Sequence, residues 1–362
     1  MKRQLLGVAA ILLSISTYAQ DNPLWMRYCA ISPDGTTIAF TYKGDIYTVP
    51  STGGRASQIT TNPAHDTKPI WSPDGKKIAF ASDRMGSMDI FEVNKEGGIP
   101  KRLTTHSGNE TPVAYKDAGH ILFLANIMPT VEDAQFPSGQ FQQVYEVNTE
   151  GGRPALFSSM PMEDISINHT GNTLLYHDKK GYEDPWRKHH TSSITRDIWL
   201  CSLNGNRTFR KQTTFNGEDR TPVWASDDKS FYYLSEEKGS FNIFKRDIDG
   251  NTSKQITNHT KHPVRFLSAA SNGTLCYGYD GEIYTVKEGG EPQKVNISIT
   301  TDNDAPSLVR QIKSWGATEI SVSPDAKEVA FVMHGDVYVT SVEYTTTKRI
   351  TDTPQQERDL SF

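Results

Sequence analysis

Cysteine is scarce: Cys29, Cys201 and Cys276 are the only three in 362 residues. All three fall in stretches patterned as strands, so no disulfide framework is expected, and they read as buried free thiols. No long apolar run follows residue 20, which leaves the rest of the chain without a membrane-spanning segment. Basic charge is not in excess either. Lys and Arg number 38 against 43 Asp and Glu, a formal net charge of −5 with no basic cluster, which argues against a nucleic-acid partner. Also missing are a Gly-X-Ser-X-Gly elbow, a His-Glu-X-X-His helix, a Cys-X-X-Cys pair and a phosphate-cradling glycine loop. The sequence therefore nominates no catalytic residue, no metal ligand and no cofactor. His189-His190 is the most tempting pair. Adjacent residues on an extended segment point opposite ways, however, and would not chelate one ion.

What is present begins with a leader. Lys2 and Arg3 precede an apolar run from Leu5 to Leu13 and a small-residue stretch near Ala19. Residues 1–20 thus read as a secretory signal peptide. The mature chain is expected to be exported, to the periplasm of a Gram-negative bacterium, with no membrane span after cleavage. Cys29 stands past the end of the apolar run, so a lipid anchor is not expected.

The remainder is organised by one repeated hairpin. Ile70-Trp71-Ser72-Pro73-Asp74-Gly75-Lys76-Lys77-Ile78-Ala79-Phe80 reads as strand, tight turn and strand. Pro73 presets φ, Asp74 tolerates the next turn position and Gly75 accepts left-handed geometry. Ile31-Ser32-Pro33-Asp34-Gly35 and Val322-Ser323-Pro324-Asp325-Ala326 are further copies, with weaker ones at Pro112–Gly119, Asp164–Gly171, Pro222–Asp228 and Pro263–Gly273. A second half-repeat follows each, made of an acid or amide, an aliphatic residue and an aromatic. Examples are Asp45-Ile46-Tyr47, Asp89-Ile90-Phe91 and Asp336-Val337-Tyr338. With a closing glycine turn and short strand, this gives four strands per repeat at periods of roughly 40 to 58 residues.

Four short antiparallel strands cannot bury both faces alone. Units of this length and period are the pattern of β-propeller blades, WD40- or PD40-like, so the fold class is all-β. Repeats one to six occupy 24–299 and predict a six-bladed β-propeller. Thr300–Pro306 reads as a linker, and 307–362 as the first blade of a second, truncated propeller. One seven-bladed ring is the alternative. Arg358–Phe362 reads as the first strand of an eighth repeat. Trp71, Trp199 and Trp224 fall at blade-packing positions.

Two insertions, Asn126–Gln140 and Asp178–Arg196, both follow second strands. In an up-and-down blade they share a face with the links that lead into each innermost strand. Those links carry His65, Asp66, Lys68, Glu110, Asp219, Arg220, His262 and Arg265, the candidates for a channel that contacts peptide. Loops on a rigid scaffold are where partners bind. Tyr182, Trp186, Arg187, His189 and His190 in the longer insertion are the candidates for an interaction loop, since Tyr, Trp and Arg dominate interface energetics.

The Trp-Ser-Pro-Asp-Gly-Lys-Lys-Ile-Ala-Phe repeats resemble the bacterial family shared by the TolB propeller and the tricorn protease. Gly181-Tyr182-Glu183-Asp184-Pro185-Trp186-Arg187-Lys188-His189-His190, followed by Arg196-Asp197-Ile198-Trp199, is similar to tricorn-type peptidases in particular. That resemblance implies a six-bladed propeller, then a seven-bladed one, then a PDZ-like domain embedded with an S41-type serine-peptidase core. It implies a substrate filter or docking channel for peptides or unfolded protein, acting with downstream peptidase domains of the same polypeptide, and it is compatible with a homo-oligomer. None of the family's catalytic positions maps onto these residues, so the chain alone is expected to be inactive in proteolysis. A TolB-like, non-enzymatic periplasmic binding propeller is the alternative.

Overall fold

A computed structural model describes residues 23–127, 141–182, 184, 186, 193–300, 314–344 and 346–362. Every regular element among these is a β-strand, and the chain divides into two compact units, 1–300 and 301–362. The division falls at the polar stretch that begins at Thr300.

Each hairpin is built by local chemistry. Ser72 Oγ donates to Asp74 Oδ1 at 2.7 Å and accepts the Lys77 N–H at 2.9 Å, while Gly75 N–H returns to the Ser72 carbonyl at 2.9 Å. Ser32–Asp34 and Ser323–Asp325 repeat the arrangement at 2.6 and 2.7 Å. The serine hydroxyl holds each of these aspartates below the ordinary carboxylate range. Gly35 and Gly75 take φ of +76° and +68° to close the turn, and Ala326 is forced to +55° in the third copy.

The aliphatic-aromatic half-repeat has an equally local reason. Its aromatic faces an aromatic of the preceding strand in register: Phe40 with Tyr47, Phe80 with Phe91, Phe123 with Tyr145, Tyr277 with Tyr284. Ring centroids in these pairs are 5.7–6.1 Å apart and near-stacked, cross-strand contacts that fix the register. The aliphatic residue's N–H is taken by a threonine two residues past the fourth strand, as in Ile46 to Thr60 and Ile90 to Thr104, both 2.9 Å.

The first unit contains six four-stranded antiparallel sheets. Their first strands are Arg27–Ile31, Asp66–Trp71, Thr111–Asp117, Met162–Ile167, Asp219–Trp224 and Arg265–Ala269. Each lies beside the next, and the sixth lies beside the first, so the inner strands form a cycle. Second strands are almost wholly buried between neighbouring sheets, and the fourth strands are more exposed, fully so at Thr208–Lys211. Tryptophans pin the stack: Trp71 Nε1 donates to the Ala30 carbonyl at 2.8 Å, and Trp224 Nε1 to the Ser166 carbonyl at 3.0 Å.

At the closing seam Ile297–Ser298 pairs in parallel with Gly54–Arg55. The Met26 N–H reaches the Gly281 carbonyl at 3.1 Å, and the Ser271 N–H reaches the Pro33 carbonyl at 2.9 Å.

The second unit holds one four-stranded sheet, Ala317–Val322, Glu328–Met333, Asp336–Ser341 and Thr347–Arg349. Its first strand leaves Ile320 67% and Val322 54% exposed, whereas the corresponding Ile31 and Trp71 of the first unit are buried. Arg358–Phe362 forms no strand, which corrects the expectation. The Leu360 N–H is instead taken by the Glu319 carboxylate at 2.9 Å. Most of the Asn126–Gln140 insertion lies outside the described residues.

Candidate functional site

The inner strands are not regular. In five of them a residue one or two past the strand start has a positive φ: Tyr28, Lys68, Asp164, Thr221 and Phe266, between +48° and +57°. Each falls inside a register shift against the second strand, a β-bulge. The matching place in the third sheet is Pro112, whose ring fixes φ near −65°, and the bulge there runs from Pro112 to Ala114. A non-glycine residue in this region costs about 1–3 kcal/mol, and such strain concentrates at functional sites. Here it re-aims the side chains. All five residues line one cavity of about 650 Å³ enclosed by the inner strands.

The cavity is cationic although the chain is not. Lys68, Lys179, Arg196, Arg220 and Arg265 line it, against Glu163 and Asp164. A buried network organises part of this charge. Glu163 accepts from Lys179 at 2.6 Å and from His177 Nε2 at 3.2 Å. Burial would raise the Glu163 carboxyl, but His177 and Lys179 hold it well below the usual carboxylate range. His177 Nδ1 accepts the Thr221 N–H at 3.3 Å, and the Thr221 hydroxyl donates to Asp164 Oδ2 at 2.7 Å. Arg196 donates to Glu218 at 3.0 Å, with Arg220 at 3.5 Å from the same oxygen. Burial pushes Arg220 down to about 10, which still leaves it charged at neutral pH.

Lys68 differs from these: among the described residues it makes no hydrogen bond and no ion pair within 4 Å. Its ammonium lies 5.7 Å from the Tyr28 ring centroid. Burial lowers its pKa, opposed by Asp164 and Glu163.

At the mouth stands Trp186. Its ring meets Phe266 edge-on at 6.0 Å between centroids, with the guanidinium groups of Arg27 and Arg265 at 4.7 and 5.0 Å from the indole. Arg265 also donates to the Trp186 carbonyl at 2.7 Å. The foot of this insertion is stapled by Asp178, which accepts from Trp199 Nε1 at 3.0 Å and from the Asp197 N–H at 2.8 Å.

Of the channel candidates, Lys68, Arg220 and Arg265 line the cavity. Asp66, Glu110 and Asp219 do not. All three are buried acids at the feet of inner strands. Arg84 Nη2 lies 3.0 and 2.9 Å from the two Asp66 oxygens, turning that carboxylate away from the cavity. His65 is exposed and also away from the cavity, with its N–H on Asp83 at 2.7 Å. His262 faces Asp280 at 3.3 Å outside it. Of the interaction-loop candidates, Tyr182 and Trp186 line the cavity; Arg187, His189 and His190 lie outside the described residues. Sequence reasoning does not nominate Tyr28, Thr221 or Phe266. Pro222 beside Thr221 is a trace of one of them; Tyr28 and Phe266 carry no such mark.

The buried acids carry a pH consequence. Burial pushes Glu110 up to about 7, with the Asp89 charge adding to it. The folded chain then holds this proton more tightly than the unfolded chain does. Its contribution is complete below the ordinary glutamate pKa and is lost as pH rises towards about 7. Glu110→Gln is therefore expected to raise the thermal midpoint at about pH 8 and to change it little at about pH 4.5, as paired melts would read.

The family model described as the tricorn protease N-terminal β-propeller domain matches residues 23–291. Tricorn protease homolog 1 of Streptomyces coelicolor is 26% identical over 323 residues, covering 87% of this chain and 29% of its own length. The tricorn protease of Thermoplasma acidophilum is 24% identical over 341 residues, covering 89% of this chain and 30% of its own. A crystal structure of the tricorn protease aligns with a TM-score of 0.72 at 20% identity, over 92% of this chain and 32% of that one, a likeness of fold. The chain thus spans about three-tenths of the length of these curated relatives.

Proposed function

Because the chain belongs to the tricorn protease N-terminal β-propeller family, we propose that its first unit is the substrate-docking channel of a tricorn-type peptidase, a closed six-bladed ring that admits extended peptide. One observation carries this reading: five strained inner-strand residues and Trp186 converge on a single cationic cavity. An extended peptide presents carbonyl oxygens and carboxylates, and Lys68 is a cation with capacity for them. Aromatic walls at Tyr28, Phe266 and Trp186 would pack side chains without selecting one sequence.

In this reading hydrolysis belongs to a serine-peptidase core of the S41 type outside these residues, and the present chain only binds. The sheet at 314–349 would open a second propeller, since its uncovered first strand calls for a neighbouring blade. Residues 1–20 would direct export to the periplasm.

Fluorescence anisotropy of a labelled unstructured peptide tests the docking reading. Lys68→Ala is expected to weaken binding about ten-fold, the scale of one hydrogen bond to a charged donor. Lys101→Ala, on an exposed fourth strand, is expected to leave it unchanged. Equal affinity for the Lys68→Ala and unmodified chains would remove the cavity from the binding site.

A further inference from the structure

The cycle of sheets closes where the sixth meets the first, and two of the three cysteines sit in that seam. Cys29 is on the first strand of the first sheet, and Cys276 is on the second strand of the sixth. Ser268 stands in register opposite Cys276, and its hydroxyl accepts the Ile31 N–H across the seam at 3.0 Å. The same hydroxyl lies 3.5 Å from the Cys29 carbonyl and 3.4 Å from the Cys276 carbonyl. Cys29 Sγ turns towards the sixth sheet, 3.5 Å from the Phe266 carbonyl. The two cysteines belong to one hydrophobic cluster. Cys201 belongs to a different cluster in the fourth sheet.

We propose that Cys29 and Cys276 form a disulfide that locks the ring shut under oxidising conditions. The oxidant is an organic disulfide such as oxidised glutathione. One cysteine thiolate, its proton released to solvent, attacks a glutathione sulfur; the mixed disulfide forms and the first glutathione thiolate leaves. The second cysteine thiolate then displaces the other glutathione, closing the protein disulfide. Two thiols are oxidised, one glutathione disulfide is reduced to two thiols, and the two protons end on the leaving groups.

Burial raises the Cys276 thiol well above its ordinary range, so closure takes place during folding or when the seam opens. Cys29 also borders the cavity, which makes it the sulfur a reagent meets first. The bond would tie residues far apart in sequence, where a cross-link constrains the unfolded chain most. It would turn a seam held by hydrogen bonds and packing into a covalent one.

The test refolds the full chain from urea with oxidised glutathione or with dithiothreitol. Each sample is then alkylated under denaturing conditions and mapped by mass spectrometry. The expected result is a Cys29–Cys276 linked peptide in the oxidised sample, with Cys201 alkylated, and a thermal midpoint several degrees above that of the reduced sample. Cys276→Ser should lose both the link and the shift, whereas Cys201→Ser should keep both. Full alkylation of Cys29 and Cys276 after oxidative refolding would overturn the proposal. Linkage to Cys201 in comparable yield, or an oxidised midpoint no higher than the reduced one, would do the same. All three readings come from the unmodified chain, so a variant that fails to fold does not rescue it.

Discussion

Glu218→Ala is expected to cost about 3–5 kcal/mol of stability, the scale of breaking a buried ion pair from one side. Glu218 is fully buried, and its Oε1 takes Arg196 at 3.0 Å with Arg220 at 3.5 Å. Both guanidinium groups are themselves buried, and Arg220 lies 4.1 Å over the Phe241 ring. Removing the carboxylate leaves two cations close together with less charge to offset them, next to a cavity already rich in cations. Neutral Glu218→Gln keeps the shape and should cost less, because one amide oxygen still accepts. Urea unfolding of the three proteins at one pH, compared by midpoint at constant slope, measures the effect. A loss below about 1 kcal/mol for Glu218→Ala would mean that water reaches the site and solvates the arginines.

Gly53→Ala is the second large effect, and it acts on ring closure. Gly53 has φ of +90°, and a Cβ placed there would stand 2.6 Å from the Asn296 carbonyl oxygen. That carbonyl accepts the Gly54 N–H at 2.8 Å, the bond that begins the parallel pairing of Ile297–Ser298 with Gly54–Arg55. The methyl group therefore brings backbone strain of about 1–3 kcal/mol and displaces a closing strand as well. A total loss of at least about 2 kcal/mol is expected, with faster hydrogen exchange at Gly54 and Ala56 ahead of the rest of the chain. Gly54→Ala is the control for strain without the clash: its φ is +123°, but nothing stands within 4 Å of an added Cβ. Equal losses for the two variants would mean that the closing strand yields without cost.

The hairpins were legible in the sequence because their causes are local. Ser72, Asp74 and Gly75 bond one another within a single turn, and Phe80 meets Phe91 across one strand pair. Such chemistry appears wherever the same few residues do, so the repeat and the all-β fold could be read directly. The cavity could not be read in the same way. The bulges at Tyr28, Thr221 and Phe266 depend on six inner strands crowding one axis, which no stretch of a single repeat encodes.

Position in a link misled for another reason. Asp66 and Lys68 are two residues apart, yet Arg84 from the turn after the neighbouring strand claims Asp66, while the bulge sends Lys68 into the cavity. Trp186 was legible as a residue without a task in the blade. That it stands between Arg27 and Arg265 required the ring.

The most direct test of a peptide channel is where a peptide lands. An unstructured peptide carrying a photoreactive phenylalanine can be bound to the full chain, illuminated, and its attachment points mapped after digestion. Attachment is predicted at Tyr28, Lys68, Thr221, Phe266 and Trp186, suppressed by excess unlabelled peptide. Saturable attachment confined to the exposed fourth strands or to residues 314–362, with every inner strand unmodified, would contradict it.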